Sequence, residues 1–109
     1  MIAISVYLDR NDPKDITIKG PDGPIDLTNI TQVDLVREGC GLTISSAVPA
    51  QSAMFDWSIG SGVLRLNLGT LDITPGTYIF YVILYDAGWP LGIPWNKITI
   101  SFLEICPTP

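Results

Sequence analysis

The chain has 109 residues, the size of one ordinary domain, and 47% of them are hydrophobic whereas only 16% are charged. This composition excludes a disordered chain, which needs low hydrophobicity and high charge. The net charge of −5 comes with basic residues scattered along the sequence, so nucleic acid is excluded as a partner. In a typical globular domain about a quarter of the residues are charged. The lower fraction here indicates that part of the surface is buried against other chains.

The sequence also limits where the protein is made and kept. The amino terminus, "MIAISVYLDR", lacks the basic start and long apolar stretch of a signal peptide. The longest apolar run, Tyr78–Tyr85, is far shorter than the roughly 20 residues that span a bilayer. We therefore expect a protein that is made in a cytoplasm, is not exported by that route and has no membrane partner.

Alternating apolar and polar side chains predict β-strands in the first half of the chain. Residues 2–8 have a period of two, and "DITIKG" repeats it with Ile16 and Ile18 on one face. The turn formers of "DRNDPKD" and "PDG" separate these segments. The next segment, "IDLTNITQVDLVRE", supplies five candidates for the buried face: Ile25, Leu27, Ile30, Val33 and Leu35.

The second half continues the same pattern. "GCGLTIS" predicts a short strand, residues 46–53 a loop, and "VLRLNL" a strand with one apolar face. "DITPGTY" predicts a turn into the longest strand, "TYIFYVILYD", and "KITISFLEI" predicts the last strand. No window of useful length has a helical period.

Short strands at a spacing of about 8 to 12 residues predict an all-β fold in one domain, 1–109. Tyr78 follows a turn and opens a long late strand, which resembles the tyrosine corner of immunoglobulin-like sandwiches. We predict a single immunoglobulin-like antiparallel β-sandwich of about seven to nine strands, without the antibody disulfide. Its buried core should contain Ile4, Val6, Ile16, Leu35, Trp57, Leu64, Leu66, Tyr78, Phe80, Val82, Ile98 and Ile100.

Catalytic chemistry is not encoded in any motif of this sequence. The chain has no histidine, and its neighbouring aspartates fall in turns, where aspartate is common for backbone reasons. "DRNDP" (Asp9–Pro13) is similar to the calcium-binding motif of cadherin linkers, but it follows the first strand and lacks partner glutamates, which favours a solvated turn. We expect no enzyme activity, no metal and no cofactor. Cys40 and Cys106 are interpreted as free thiols, with a disulfide between them left open because sequence does not give their distance.

The segment "DAGWPLGIPWNKITI" (86–100) contains two tryptophans and two prolines. Pro90 and Pro94 cannot donate backbone hydrogen bonds, so we predict that the chain leaves the sheet here as a stiff loop. Three roles are open for Trp89 and Trp95: a lid on the sandwich, an anchor in a protein interface, or a platform for a sugar ring.

The strand before this segment favours the protein interface. Ile79, Tyr81 and Ile83 lie opposite the face that should enter the core, and an outer face should be polar. An uncovered apolar stripe promotes aggregation, so a loop of the same chain or another chain must cover it. We predict a protein interface made by six residues: Ile79, Tyr81, Ile83, Tyr85, Trp89 and Trp95.

Most of the chain resembles a known group of proteins. The residues that carry the likeness are "VYLDR", "PDG" and "IDLTNIT" in the first half and "GVLRLNLGTLDITPGTYIFYVILYDAGWPLGIPW" in the second. They are similar to small phage virion proteins and to the immunoglobulin-like amino-terminal domains of phage baseplate and tail-fibre adaptor proteins. In that group these domains bind other virion proteins and catalyse nothing. A longer fibre-bearing region often follows there, whereas this sequence ends at Pro109, which favours a small accessory subunit.

The resemblance implies a non-enzymatic structural subunit of a bacteriophage particle, made in the host cytoplasm and located in the virion. Its partners would be other virion structural proteins at the tail, baseplate or fibre junction, in a symmetric multi-copy assembly. Two alternatives remain open: a capsid decoration or cement protein, and a carbohydrate-binding module for host attachment.

Overall fold

A computed structural model describes residues 2–20, 23–39, 41–58 and 62–104. Cys40, Cys106 and most of the "PDG" turn lie outside these residues, so the free-thiol interpretation stays a prediction. The described residues form ten strands and one short 3-10 helix, Ser52–Met54. The strands are β1 Ile2–Tyr7, β2 Lys14–Thr17, β3 Lys19–Gly20, β4 Gly23–Pro24, β5 Ile30–Arg37, β6 Thr43–Ser45, β7 Phe55–Asp56, β8 Val63–Leu66, β9 Gly76–Asp86 and β10 Trp89–Leu103.

Two sheets pack against each other, which confirms the all-β sandwich. The larger sheet has the order β1-β10-β9-β5-β6, the smaller one has the order β2-β8-β7, and β3 and β4 form a separate pair. All of these pairs are antiparallel except β1 with β10, which is parallel. The parallel pair is the one exception among the described strands to the predicted antiparallel arrangement, because alternation reports which face is buried and not the direction of the neighbouring strand.

The buried residues form one hydrophobic cluster between the two sheets. Nine of the twelve residues predicted for the core are buried, among them Phe80, Val82, Leu64 and Leu66 at 0% exposure. The other three, Ile4, Trp57 and Tyr78, are half-buried and pack against the cluster. The indole N–H of Trp57 donates to the Ile30 carbonyl at 3.2 Å, so its polar atom has a partner at the edge of the core.

Tyr78 closes one end of the sandwich. Its hydroxyl donates to the Thr74 carbonyl at 2.7 Å, four residues upstream, and this bond ties the start of β9 to the preceding turn. Its ring meets Phe102 edge-on at 5.7 Å, and the Arg37 guanidinium lies 4.7 Å from the ring centre on the solvent side. The backbone hydrogen bond is the one that defines a tyrosine corner.

The loop predicted after Asp86 is in fact mostly strand, since only Ala87 and Gly88 form a turn. β10 begins at Trp89 and pairs with β9 from Trp89 opposite Asp86 to Phe102 opposite Gly76. The prolines are compatible with this pairing because β1 pairs with β10 only from Ile98 onward in the described chain. Residues 89–97 therefore form an edge, where proline is tolerated. The two register shifts in the pairing fall around these prolines.

The described residues include no helix long and apolar enough to cross a membrane.

We predict that Phe80→Ala and Leu66→Ala each lower the free energy of unfolding by roughly 2 to 5 kcal/mol, because each leaves a cavity in the core. Urea denaturation measures the change. Leu91→Ala is the matched control, since Leu91 is 93% exposed and its loss should change stability by less than about 0.5 kcal/mol. Equal midpoints for all three variants would show that a different face of β9 or β8 points inward.

Candidate functional site

The tip of the β9–β10 hairpin carries a group of exposed apolar side chains. Trp89 is 57% exposed, Leu91 93% and Ile93 39%, and they lie within five residues. Pro90, which lies between them, and Pro94, which follows Ile93, are exposed as well. We call this group, residues 89–94, the apolar tip. Three of the six described large hydrophobic side chains that are exposed belong to it, more than lie in any other stretch of this length.

The strand lengths explain why these side chains are not covered. β9 and β10 have 11 and 15 residues, whereas β2 and β8 of the opposite sheet have four each. At about 3.3 Å per residue, β9 is some 20 Å longer than either. Trp89 and Ile93 pair with Asp86 and Leu84, so they lie on the core-facing side of the hairpin. Their exposure shows that the hairpin extends past the smaller sheet.

The turn at the end of the hairpin is held by Asp86. Its Oδ1 accepts hydrogen bonds from the amides of Gly88 at 2.7 Å and Trp89 at 3.0 Å. An aspartate that binds the amides two and three residues ahead fixes a tight turn without help from the rest of the fold. The backbone of Trp89 is therefore ordered before any partner binds.

A bulge behind the turn covers part of the predicted interface. β10 places Pro90, Leu91 and Gly92 opposite Tyr85 of β9, between the pairs Trp89–Asp86 and Ile93–Leu84. Gly92 has a φ of +83°, and a Cβ at this position would lie 2.5 Å from Cγ2 of Ile83 and 2.9 Å from the Tyr85 ring. The backbone at Gly92 thus packs on Ile83 and Tyr85. Of the two covers that the sequence left open, a segment of the same chain therefore covers this end of the stripe.

Trp95 is the extra residue of the second bulge and packs within its own chain. It lies between Pro94, which pairs with Ile83, and Asn96, which pairs with Val82. It is half-buried against the core, and its indole N–H donates to the Lys19 carbonyl at 2.8 Å. This bond links the hairpin to β3. Of the three roles that the sequence left open, the geometry of Trp95 therefore fits a lid on the sandwich.

The rest of the predicted stripe is half-buried on the outer face of the larger sheet. Ile79 and Tyr81 stand on β9 opposite Thr99 and Lys97 of β10. The Lys97 ammonium lies 5.5 Å from the centre of the Tyr81 ring and 3.0 Å from the Glu38 carboxylate. A neutralised ion pair beside an aromatic ring makes this face moderately polar, so the tip is the more apolar part of the predicted interface.

Tyr85 is anchored to a buried carboxylate. Its hydroxyl donates to Oδ2 of Asp34 at 3.0 Å, and Asp34 is only 7% exposed. The Gln32 amide donates to the other oxygen of Asp34 at 2.9 Å and to the Ser45 hydroxyl at 3.3 Å. Burial, and then the bond to Asp34, raises the pKa of the Tyr85 hydroxyl above its ordinary value. This network fixes β5, β6 and β9 to one another.

A shallow concavity of about 610 Å³ lies beside Trp89. It is formed by residues 28–31, which lead into β5, and by residues 86–89 at the hairpin turn. Two threonines, an asparagine, Asp86 and the exposed Trp89 therefore line one concavity. Such a combination of an aromatic ring with polar groups is suited to recognising a polar side chain or a sugar.

In the "DRNDP" turn, the second aspartate, Asp12, stabilises the fold. Oδ2 of Asp12 accepts the Tyr7 amide at 2.9 Å, and Oδ1 lies 3.2 Å from the Lys14 ammonium. The Tyr7 hydrogen bond, with a smaller effect of Lys14, lowers the pKa of Asp12 below its ordinary value. In the described part of the chain, no three histidine, cysteine, aspartate or glutamate residues are grouped so as to hold a metal ion.

A comparison with protein-family models gives no match, and a search of curated proteins gives none either.

Sequence reasoning placed Trp89 in the candidate site but missed Leu91 and Ile93. Their signal was the alternation of residues 89, 91 and 93, which the two prolines obscured. Once the segment was interpreted as a loop, its apolar side chains could not be assigned to a strand. The prolines are compatible with a strand only if one of its edges is free, and that depends on how far β1 extends.

We predict that Gly92→Ala lowers stability more than Gly39→Ala. Both glycines have a positive φ, which costs an alanine about 1 to 2 kcal/mol. A Cβ at Gly39 meets nothing within 4 Å, whereas at Gly92 it overlaps Ile83 and Tyr85 and adds about 1 to 3 kcal/mol. Urea denaturation of the two variants compares them directly. Equal losses would mean that the bulge does not pack on β9.

Proposed function

We propose that this protein is a non-enzymatic structural subunit of a bacteriophage particle, which docks on other virion proteins through the apolar tip of its β9–β10 hairpin. The assignment to a phage particle rests on the resemblance of its sequence motifs to small phage virion proteins. The choice of docking surface rests on one observation: Trp89, Leu91 and Ile93 are all exposed at the end of a rigid hairpin. Made in the host cytoplasm, the subunit would end in the virion in several symmetric copies.

The energetics of the tip support a binding role. Tryptophan and flanking apolar residues with few charges form the centre of typical protein interfaces. The Asp86 turn and the Gly92 bulge already order the backbone, so binding loses little conformational entropy. An exposed patch of this kind is an aggregation hazard for a free monomer, which is a reason for a partner to cover it.

We infer that the sandwich has immunoglobulin-like connectivity. If β2, β7 and β8 are taken as strands B, D and E, the smaller sheet has the order B-E-D. The larger sheet then contains G, F, C and C′ as β10, β9, β5 and β6, the arrangement of variable-type domains. The Tyr78 hydroxyl bond to Thr74 supports the same assignment. Many binding domains share this connectivity, so the connectivity alone does not indicate what this protein binds. It supports the docking role only because it includes the long β9–β10 hairpin.

We predict that Trp89→Ala leaves the isolated domain folded but weakens incorporation into particles by about 2 kcal/mol or more, because an interface anchor is lost. Mass spectrometry of particles purified from the encoding phage measures incorporation, and urea denaturation measures folding. Leu103→Ala is the matched control, since Leu103 is a 38% exposed apolar residue at the opposite end of β10. A chain missing from purified particles would refute the virion assignment, and a chain found only on the capsid would favour the decoration protein.

A carbohydrate-binding module is the second candidate, favoured by the concavity of threonine, asparagine and aspartate groups beside the exposed Trp89 indole. If the protein is a carbohydrate-binding module, we expect titration with host polysaccharide to quench tryptophan fluorescence, and Trp89→Ala to remove the quenching. Trp57 and Trp95 remain in that variant as internal controls, because both indoles donate to backbone carbonyls of the same chain. On the docking proposal we expect a flat titration with every host cell-wall fraction.

A further inference from the structure

The concavity beside Trp89 has an acidic rim. Oδ1 of Asp86 is occupied by the Gly88 and Trp89 amides, while Oδ2 receives no hydrogen bond from the described chain. Asp26 does not line the concavity, but its Oδ1 accepts hydrogen bonds from the amide and hydroxyl of Thr28, which does. Neither carboxylate forms an ion pair with a described residue. Two negative charges therefore lie close to the apolar tip.

Most cations of the described chain are engaged elsewhere. Lys14, Arg65 and Lys97 pair with Asp12, Asp15 and Glu38. Arg37 lies over the Tyr78 ring, at the far end of β9 from the turn. Lys19 is nearer, since its carbonyl accepts the Trp95 indole, but it does not pair with Asp26 or Asp86. The end of the molecule that carries the tip is thus both apolar and negatively charged.

We propose that the partner of the apolar tip is a protein surface with an apolar pocket for Trp89 and Leu91 and with a neighbouring arginine or lysine that enters the concavity and pairs with Asp86, while Asp26 adds to the negative potential there. This inference rests on the docking function proposed above and names the chemistry of the partner. A guanidinium in this position gains charge-assisted hydrogen bonds from Asp86 and a cation–π contact from the Trp89 indole. The carboxylates then select the partner, and the apolar side chains provide most of the affinity.

A second copy of this chain fits the tip less well. Two copies meeting tip to tip would bring the four carboxylates of their Asp26 and Asp86 residues together, and the chain already carries a net charge of −5. Like charges in one interface are costly, so self-association through this surface is disfavoured. A partner with the opposite charge avoids that repulsion.

The test is a competition for places in the particle. Each variant chain is expressed together with tagged wild type, and their ratio in purified particles is measured by mass spectrometry. Asp86→Asn removes the charge but keeps the Oδ1 acceptor that holds the turn, and Asp26→Asn does the same for Thr28. We expect each to be incorporated about two- to fivefold less than wild type. Trp89→Ala should be reduced by about 30-fold or more.

Asp72→Asn is the matched control, because Asp72 is exposed and precedes β9 at the end away from the tip. It should compete equally with wild type. Raising the salt concentration should release wild-type chain from particles, because salt screens the charge pairs. Release of the double variant, Asp26→Asn with Asp86→Asn, should depend less on salt. Thermal unfolding of each variant checks that the turn is intact.

Each remaining outcome identifies which claim fails. Equal incorporation of Asp86→Asn, Asp26→Asn and Asp72→Asn overturns the basic partner but leaves docking through Trp89. Equal incorporation of Trp89→Ala overturns the tip as the docking site. Absence of the chain from particles removes the proposed function together with this inference. A Trp89-dependent dimer of the purified chain, strengthened by salt, identifies a second copy as the occupant and overturns the basic partner.

Discussion

The pairing of β9 with β10 is the constraint on which the rest of this structure depends. Each strand also pairs with a second neighbour, β5 or β1, so the hairpin forms the centre of the larger sheet. One face of β9 supplies Phe80, Val82 and Leu84 to the core, and its other face carries the half-buried stripe. Because the hairpin is much longer than the strands of the opposite sheet, its turn end extends beyond the core. The apolar side chains at that end are therefore left exposed.

The two ends of β9 are stabilised in different ways. At its start, the Tyr78 hydroxyl and ring connect the turn, Phe102 and Arg37 into one packed unit. At its end, the hydrogen bonds of Asp86 are local, and the neighbouring bulge packs on Ile83 and Tyr85 through its backbone. The first end is thus part of the sandwich. The second is rigid but little buried, a state that favours binding because order is already present while the apolar surface is not yet covered.

The bulge resolves a conflict between solubility and binding. An outer face of isoleucine and tyrosine side chains would associate with any apolar surface, and Gly92 and the Lys97–Glu38 pair cover or neutralise much of it. Pro90 and Pro94 lie on the free edge of β10, where a missing donor hinders pairing with a foreign strand. The surface that stays open is the tip, and under the proposed function its neighbouring carboxylates would discriminate among partners by charge.

The sequence by itself determined the all-β class, the inward face of each long strand and most of the core, because a period of two depends only on local alternation. It also marked Trp89 as unusual. Only the tertiary structure decided that residues 89–97 form an edge strand, that β1 runs parallel to β10, and that Trp95 binds the Lys19 carbonyl while Trp89 stays exposed. These outcomes depend on how far distant strands extend beside one another. Alternation along one segment carries no information about the length of its neighbours.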